Sequence, residues 1–290
     1  MGKYQPPFTI TNQILSYVSS ISEKIGRISA INGLEAKPHL RKNNKIKSIH
    51  ASLKIEANSL TLGQVRDVIN GKLVLGEQKE IQEVKNAYSA YERLSEIDPY
   101  QLRYLKKFHG MMTKYLVENP GEFRTGEEGV FAGDRCIFMA PPARLVPQLM
   151  EELFGWMNEA KDSVHPLILS SVFHYEFVFI HPFSDGNGRM ARLMHLWYLV
   201  QQGYSSALFV PLSEYINKSR KGYYDAYTLV EENATISGML DATPFLAYFI
   251  ENVYHKLNGA LPTAQTTMAF QEALSHGQVT EKEKALWEFV

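Results

Sequence analysis

The chain of 290 residues holds a single cysteine, Cys136, which excludes an internal disulfide framework and fits a reducing compartment. Cys136 reads as a small strand residue rather than a nucleophile, because no helix N-terminus or catalytic motif adjoins it. Neither charge sign is in excess. Thirty basic residues face 31 acidic ones for a formal charge of −1, so no global field recruits nucleic acid or an anionic membrane. A long uncharged apolar run is missing too: the most apolar stretch, 164–180, carries His165, His174 and Glu176 and is too short to span a bilayer. The N-terminus, MGKYQPPFTIT, lacks the charged-then-apolar layout of a signal peptide, and Pro6 stands where a myristoylation signal needs Ser or Thr. A cytoplasmic protein is the expectation. Repeats and low-complexity tracts are absent as well.

What is present is an ordinary globular composition, 45% apolar and 21% charged, on a chain long enough for one large helical body or two joined subdomains. Helical periodicity dominates. Ile14, Val18, Ile21, Ile25 and Ile28 form one stripe over 12–28. A second helix is expected at about 44–57. Thr61 and Gln64 make a capping box for a short helix with Val65, Val68 and Ile69. Helical spacing continues over 77–97, and Asp98-Pro99 then resets the chain as N-cap and first helical residue. Between 119 and 142 the pattern changes. Val130-Phe131-Ala132 and Cys136-Ile137-Phe138-Met139, joined by Gly133-Asp134, read as a β-hairpin. Helices return at 146–160, 165–180, 188–202, 213–231 and 243–258, so the fold class is all-α with one hairpin.

Residues 181–192, His-Pro-Phe-Ser-Asp-Gly-Asn-Gly-Arg-Met-Ala-Arg, carry the chemistry. Pro182 disfavours helical backbone at His181, which should end the buried helix and present the imidazole at its mouth. Gly186 and Gly188 permit positive φ and close backbone approach, so the amides around Asn187 can form an anion-binding nest that opens a helix. Arg189 and Arg192 then lie near a helix N-terminus, where each opposes the macrodipole by roughly 0.3–1 kcal/mol. Two such cations imply a compensating anion, and polyphosphate is the natural one. Asp185 beside that nest is explained if it holds a divalent metal bridging the phosphates, although a carboxylate at this position can also be a simple helix cap. His174 and His195 lie on apolar helices and read as packing residues, and the spacing of His174, Glu176 and His181 does not match a metallohydrolase.

At every specified position the stretch matches HPFx(D/E)GNGRxxR, the signature of the Fic family, which the chain resembles from the hairpin to about residue 260. The resemblance implies a Fic-fold helical bundle with a flap at about 129–139. It implies protein adenylyl transfer, moving AMP from ATP to a Ser, Thr or Tyr hydroxyl of a protein target. His181 would be the general base and Asp185 the Mg²⁺ ligand. The Gly186-Asn187-Gly188 backbone and the Asn187 side chain would hold the α- and β-phosphates, Arg189 the β-phosphate and Arg192 the γ-phosphate. Residues 52–58, Ser-Leu-Lys-Ile-Glu-Ala-Asn, resemble the (S/T)xxxE(G/N) inhibitory helix of such proteins, with Ala57 where Gly or Asn is usual. By that resemblance Ser52 and Glu56 belong to an inhibitory helix at about 44–58, and Glu56 pairs with Arg192 in place of the γ-phosphate. The alternative is an exposed helix charge.

The flap, with Val130, Phe131, Ala132 and Gly133, resembles the hairpin that adds the target's backbone as a strand. Phe131 and Phe138 could equally pack the hairpin onto the body. Tyr223-Tyr224 resembles a tyrosine pair near adenine, though tyrosines at helical spacing also suit a core. The domain division expected is an N-terminal helical region, 1–97, a catalytic core, 98–212, completing helices, 213–260, and a tail, 261–290. Thr280 and Glu283 make a capping box in that tail, which resembles the start of a winged-helix appendage. Helical Fic proteins often associate, so a homodimer is one arrangement open to the chain. Other donors or directions (UMP, phosphocholine or phosphoryl transfer, AMP removal) and a non-catalytic module stay open.

Overall fold

The computed structural model describes residues 4–31, 38–94, 98–132, 135–204 and 212–254. The Gly133-Asp134 turn and the tail with Thr280 and Glu283 lie outside the described residues. Eleven helices are described: α1 (Asn12–Ile31), α2 (Pro38–Ile55), α3 (Leu62–Ile69), α4 (Gln78–Glu92), α5 (Leu102–Met112), α6 (Val146–Ala160), α7 (Pro166–Ile180), α8 (Asn187–Gln201), α9 (Leu212–Lys218), α10 (Arg220–Ser237) and α11 (Thr243–Ala247). A π-helical turn, Tyr248–Tyr254, continues α11, and β1 (Gly129–Ala132) pairs with β2 (Arg135–Met139) between α5 and α6.

Helix α7 is apolar around its whole circumference, and that dictates its place. Every residue from Leu167 to Phe177 is buried. Its partner α8 is buried from Arg189 to Leu199, and the two pack against each other across the loop 181–186. Around this pair, α6 and α11 cover α7 while α5 and α2 cover α8. One continuous apolar core runs from Ile14 to Tyr254. Fully burying a large side chain such as Phe173, Phe177 or Trp197 contributes roughly 1.5–3 kcal/mol each, so the α7–α8 pair is a rigid base for the loop that joins it.

Local signals mostly keep their expected roles. Thr61 and Gln64 form the capping box of α3, the Thr61 hydroxyl accepting from the Gln64 amide at 3.3 Å and the Gln64 carboxamide accepting from the Thr61 amide at 2.9 Å. Asp98 is different. Its carboxylate accepts from the Tyr100 amide at 2.9 Å and from Gln101 Nε2 at 2.8 Å, making an Asx turn, and the helix begins only at Leu102. The expected helix over 213–231 is two, broken at Ser219. In the hairpin, Val130 pairs with Phe138 and Phe131 with Cys136, which leaves Ile137 as the extra residue of a bulge.

The N-terminal segment straps the back of α7. Tyr4 Oη donates to Glu176 Oε2 at 2.7 Å, and the Glu176 side chain lies in the core with Oε1 unpartnered. Burial pushes the Glu176 carboxyl from its ordinary 4.5 up to about 7, against the opposing Tyr4 hydrogen bond. A carboxyl raised on folding contributes stability that is fully present below 4.5 and is lost as pH rises through about 7. Across that window the loss amounts to roughly 3 kcal/mol. Glu176→Gln is therefore expected to match the parent near pH 4.5 and to melt higher than it at pH 8. Melting both proteins across pH 4–8 checks this; taking the difference between them cancels other titrating groups, including the buried His109 and His195.

Candidate active site

Four elements converge on the loop between α7 and α8. The first is the end of α7 itself. His181 is its C-cap in the left-handed region, φ 50° and ψ 60°, its amide donating to Phe177 O at 3.0 Å, and Pro182 prevents the helix from continuing. The imidazole is half-buried and Nδ1 lies 3.3 Å from Val178 O. A carbonyl can only accept, so Nδ1 carries the proton and Nε2 presents a bare lone pair. Burial lowers the His181 pKa, with Arg124 lowering it further while the Val178 hydrogen bond, Glu128 and Glu56 oppose; the ring is neutral at pH 7.

The loop is then shaped by residues with no direct part in chemistry. Phe183 is fully buried and stacks on His109 at 3.6 Å between centroids. His109 Nδ1 accepts from the Gly121 amide at 2.9 Å, so Nε2 is the protonated nitrogen and donates to Asp185 O at 2.9 Å. Burial pulls the His109 pKa down to about 4, which keeps that tautomer neutral. Gly186 needs its φ of 83° to cap α8, and a Cβ there would press on Thr113. Asn187 also holds the loop. Its Nδ2 donates to Phe183 O at 2.6 Å and its Oδ1 accepts from Phe183 N at 2.9 Å. Both ends of the carboxamide brace the loop, so the side chain expected on a phosphate is already engaged. The backbone amides of Asn187, Gly188 and Arg189, in the first turn of α8, have no partner within the helix.

The arginines find their anions inside the chain. Arg189 is 3% exposed, with Nη2 on Asp185 Oδ1 at 2.8 Å, Nη1 on Glu83 Oε1 at 3.3 Å and Nε unpartnered. Arg192 donates from Nε to Ser52 Oγ and from Nη2 to Ser52 O, both at 3.0 Å, and from Nη2 to Glu56 Oε1 at 2.7 Å. Burial is the largest single influence on Arg192 and would lower its pKa, but the Glu56 charge and hydrogen bond together with the nearby Tyr223 and Tyr91 hydroxyls outweigh it, and the net direction is upward. Glu56 Oε1 also lies against the bare Cα of Gly188, where a Cβ would collide with it. The carboxylate thus occupies an anion seat made by the first turn of α8 and the Arg192 fork.

The fourth element is the end of α2, which carries that carboxylate. The Asn58 amide donates to Leu53 O at 3.1 Å and the Ala57 amide to Lys54 O at 3.2 Å, a Schellman closure with Glu56 as C-cap and Ala57 at φ 69°. That conformation explains why Gly or Asn suits the position: the left-handed region costs alanine about 1–2 kcal/mol. Asn58 then ties the chain down beyond the helix end, with Oδ1 accepting from Leu60 N at 3.1 Å and Nδ2 donating to Glu83 Oε2 at 2.8 Å. Ala57→Gly is expected to stabilise the fold by about 0.5–1 kcal/mol and to hold Glu56 more firmly on Arg192. A melting curve checks the first effect and nucleotide affinity, expected to fall about 2–5-fold in proportion, checks the second.

Of the remaining expected site residues, Asp185 stands at the mouth with its side chain 42% exposed. Its two hydrogen bonds among the described residues, from Arg189 and from the Gly186 amide at 2.6 Å, both fall on Oδ1. Among the described residues no group of three or more His, Cys, Asp or Glu is placed to hold a metal, so a metal at Asp185 would take its other ligands from phosphate and water. Val130, Phe131 and Ala132 form β1, and Phe138 of β2 packs on Phe179 of α7 at 5.8 Å. Gly133 lies outside the described residues. Tyr223 is 4% exposed and donates or accepts at His174 Nε2 at 2.9 Å within an aromatic cluster with Tyr227, Phe245 and Phe249, so it serves the core; Tyr224 is the exposed member of the pair.

Glu83, His109 and Arg124 were not anticipated as parts of the site, and Asn58 was expected only as the residue that closes the 52–58 inhibitory stretch. Glu83 carried a signal, because it lies one turn from Ala87 and two from Ala90 on the buried face of α4. His109 also sat on an apolar stripe. Nothing in the spacing around Arg124 marks it.

The chain is similar to several known proteins. A family model, the Fic/DOC family, matches residues 99–199. The crystal structure of a Fic family protein from Desulfovibrio desulfuricans G20 is 39% identical with a TM-score of 0.79, over 96% of this chain and 79% of that one. Protein adenylyltransferase Fic of Drosophila mojavensis is 28% identical over 256 residues, and that of Culex quinquefasciatus 28% over 242 residues. The chain spans about half the length of these curated relatives, 45% of each. The 181–192 loop, the α7–α8 base and a match to a solved Fic protein over nearly the whole of this chain lead to one conclusion: the chain belongs to the Fic family.

Proposed function

We propose that the chain transfers AMP from Mg²⁺-bound ATP to a hydroxyl of a protein target, and that Glu56 restrains it. The observation that carries the reading is the anion seat between α8 and Arg192, where the chain's own carboxylate stands in for a phosphate. The residues fit a bound triphosphate. Arg189 has a buried, unpartnered Nε, Gly188 leaves room that a side chain would fill, and Asp185 keeps Oδ2 for a cation. The curated relatives are named for adenylyl transfer, which supports the choice of AMP.

In that mechanism His181 Nε2 accepts the proton of the acceptor hydroxyl. The oxygen attacks the α-phosphorus, a P–O ester bond forms, and the α–β bridging P–O bond breaks so that pyrophosphate leaves with the electron pair. Arg189 and the α8 amides stabilise charge on the departing phosphates. Mg²⁺ at Asp185 would neutralise phosphate oxygens when bound. Strand β1 or β2 offers an edge on which an extended target segment could be held. No described helix is long and apolar enough to cross a membrane, and nothing in the site calls for nucleic acid.

Intact-mass spectrometry of the Glu56→Gly chain, incubated with Mg²⁺ and ATP, UTP, CTP or GTP in turn, tests the reading. A covalent gain of one AMP from ATP supports it. A gain from another nucleotide alone replaces the donor, and no gain from any of them, with the chain folded, counts against transfer.

A further inference from the structure

Arg124 lies just before the hairpin, is 5% exposed and has no hydrogen-bonded carboxylate among the described residues. Burial pushes its pKa down, and the charges of Glu127 and Glu128 oppose that without touching it. Its guanidinium is satisfied wholly by carbonyls from three segments. Nε donates to His181 O at 2.7 Å and Nη2 to Ile180 O at 3.4 Å, both at the C-terminus of α7. Nη1 donates to Gly126 O at 2.8 Å, before β1, and Nη2 also to Pro141 O, after β2. Its own amide donates to Pro182 O at 2.9 Å.

The chemistry of this cluster is specific. The last carbonyls of a helix lack partners and carry the negative end of the macrodipole, so a cation there is favoured. Only a planar fork with five N–H groups can reach the helix end and both feet of the hairpin together; an ammonium is a point charge on a flexible stem. The carbonyls of residues 180, 181 and 182 are all held, which fixes the turn on either side of the left-handed His181. The Ala140 amide, donating to Glu128 O at 3.0 Å, closes the hairpin next to the same cluster.

We propose that Arg124 is a positioning residue that locks the His181 turn and both feet of the hairpin into one unit, setting the imidazole relative to the strand edge where an acceptor would lie. The proposal rests on the transfer reading above for its kinetic consequence and on geometry alone for its structural one. A misplacement of about 1 Å at a reacting group can cost ~10²-fold in rate while leaving remote binding intact.

The test uses Arg124→Lys and Arg124→Gln in the full chain with Glu56→Gly, folded protein being verified by circular dichroism. Two readouts are taken: Mg²⁺-ATP affinity against the rate of self-labelling from α-labelled ATP, and amide hydrogen exchange. Expected in both variants are affinity within about twofold of the Glu56→Gly parent and labelling slower by about 30-fold or more. Exchange at the amides of His181 and Ala140 should accelerate together by about tenfold, with that of Val84 in α4 unchanged. Labelling within about threefold of the parent, affinity falling in step with rate, or exchange rising at one of the two amides alone would each overturn the proposal. A variant that fails to fold passes the test to the other, and loss of fold in both would make Arg124 a structural residue and end the proposal. If the Glu56→Gly parent transfers no label, the transfer reading fails, and the exchange result still decides Arg124.

Discussion

Replacing Glu56 with glycine is expected to raise AMP transfer on the order of 10–100-fold, the change that removing about 1.4–2.8 kcal/mol of competition for one arginine fork produces. Glu56 Oε1 sits 2.7 Å from Arg192 Nη2, and the Arg192 side chain is almost fully buried. Nucleotide and carboxylate therefore cannot both use this seat. The same substitution strips a buried cation of its counter-charge. Breaking a fully buried pair costs about 3–5 kcal/mol, but Glu56 is 36% exposed and Ser52 still accepts two hydrogen bonds from Arg192, so a loss of about 1–2 kcal/mol is expected. Mg²⁺-ATP should restore that loss, because a ligand that binds only the folded state stabilises it. Label transfer and melting with and without nucleotide check both effects; unchanged transfer in a folded variant counts against a restraint by Glu56.

His181→Ala should lower transfer by roughly 10²–10⁴-fold in the Glu56→Gly background, the contribution of a placed general base. Nucleotide affinity should stay within about twofold, since none of the phosphate-seat groups belongs to His181. The rate in the parent should also fall on the acid side, through a pKa below the ordinary histidine value of 6.5, because burial disfavours the imidazolium. Above that value the profile should be flat up to neutral pH. An acid limb lying above 6.5 would assign the proton acceptor to another group.

The helical frame was legible because its periodic stripes are long: α1, α6, α7 and α8 fall within a few residues of their expected bounds. The loop 181–186 was legible because proline and glycine act on the backbone locally, ending α7 at His181 and capping α8 at Gly186. Contacts between distant segments were not. Glu83, Asn58 and Arg124 reach the site through pairings 57 to 106 residues apart or through one another, and no local spacing encodes such a pairing. Asp98-Pro99 shows the converse limit, since the aspartate satisfied its capping chemistry in an Asx turn before the helix began. Asn187 shows a third: its side chain braces its own loop through both ends of the carboxamide, a contact that the motif's spacing does not announce.

The Glu56 carboxylate takes the place proposed for a nucleotide's terminal phosphate. A crystal structure of the Glu56→Gly chain with Mg²⁺ and a non-hydrolysable ATP analogue tests it most directly. The γ-phosphate is expected within hydrogen-bonding distance of Arg192 and beside Gly188, with His181 Nε2 facing the α-phosphate. A bound nucleotide whose phosphates avoid Arg192 and the first turn of α8 would contradict it.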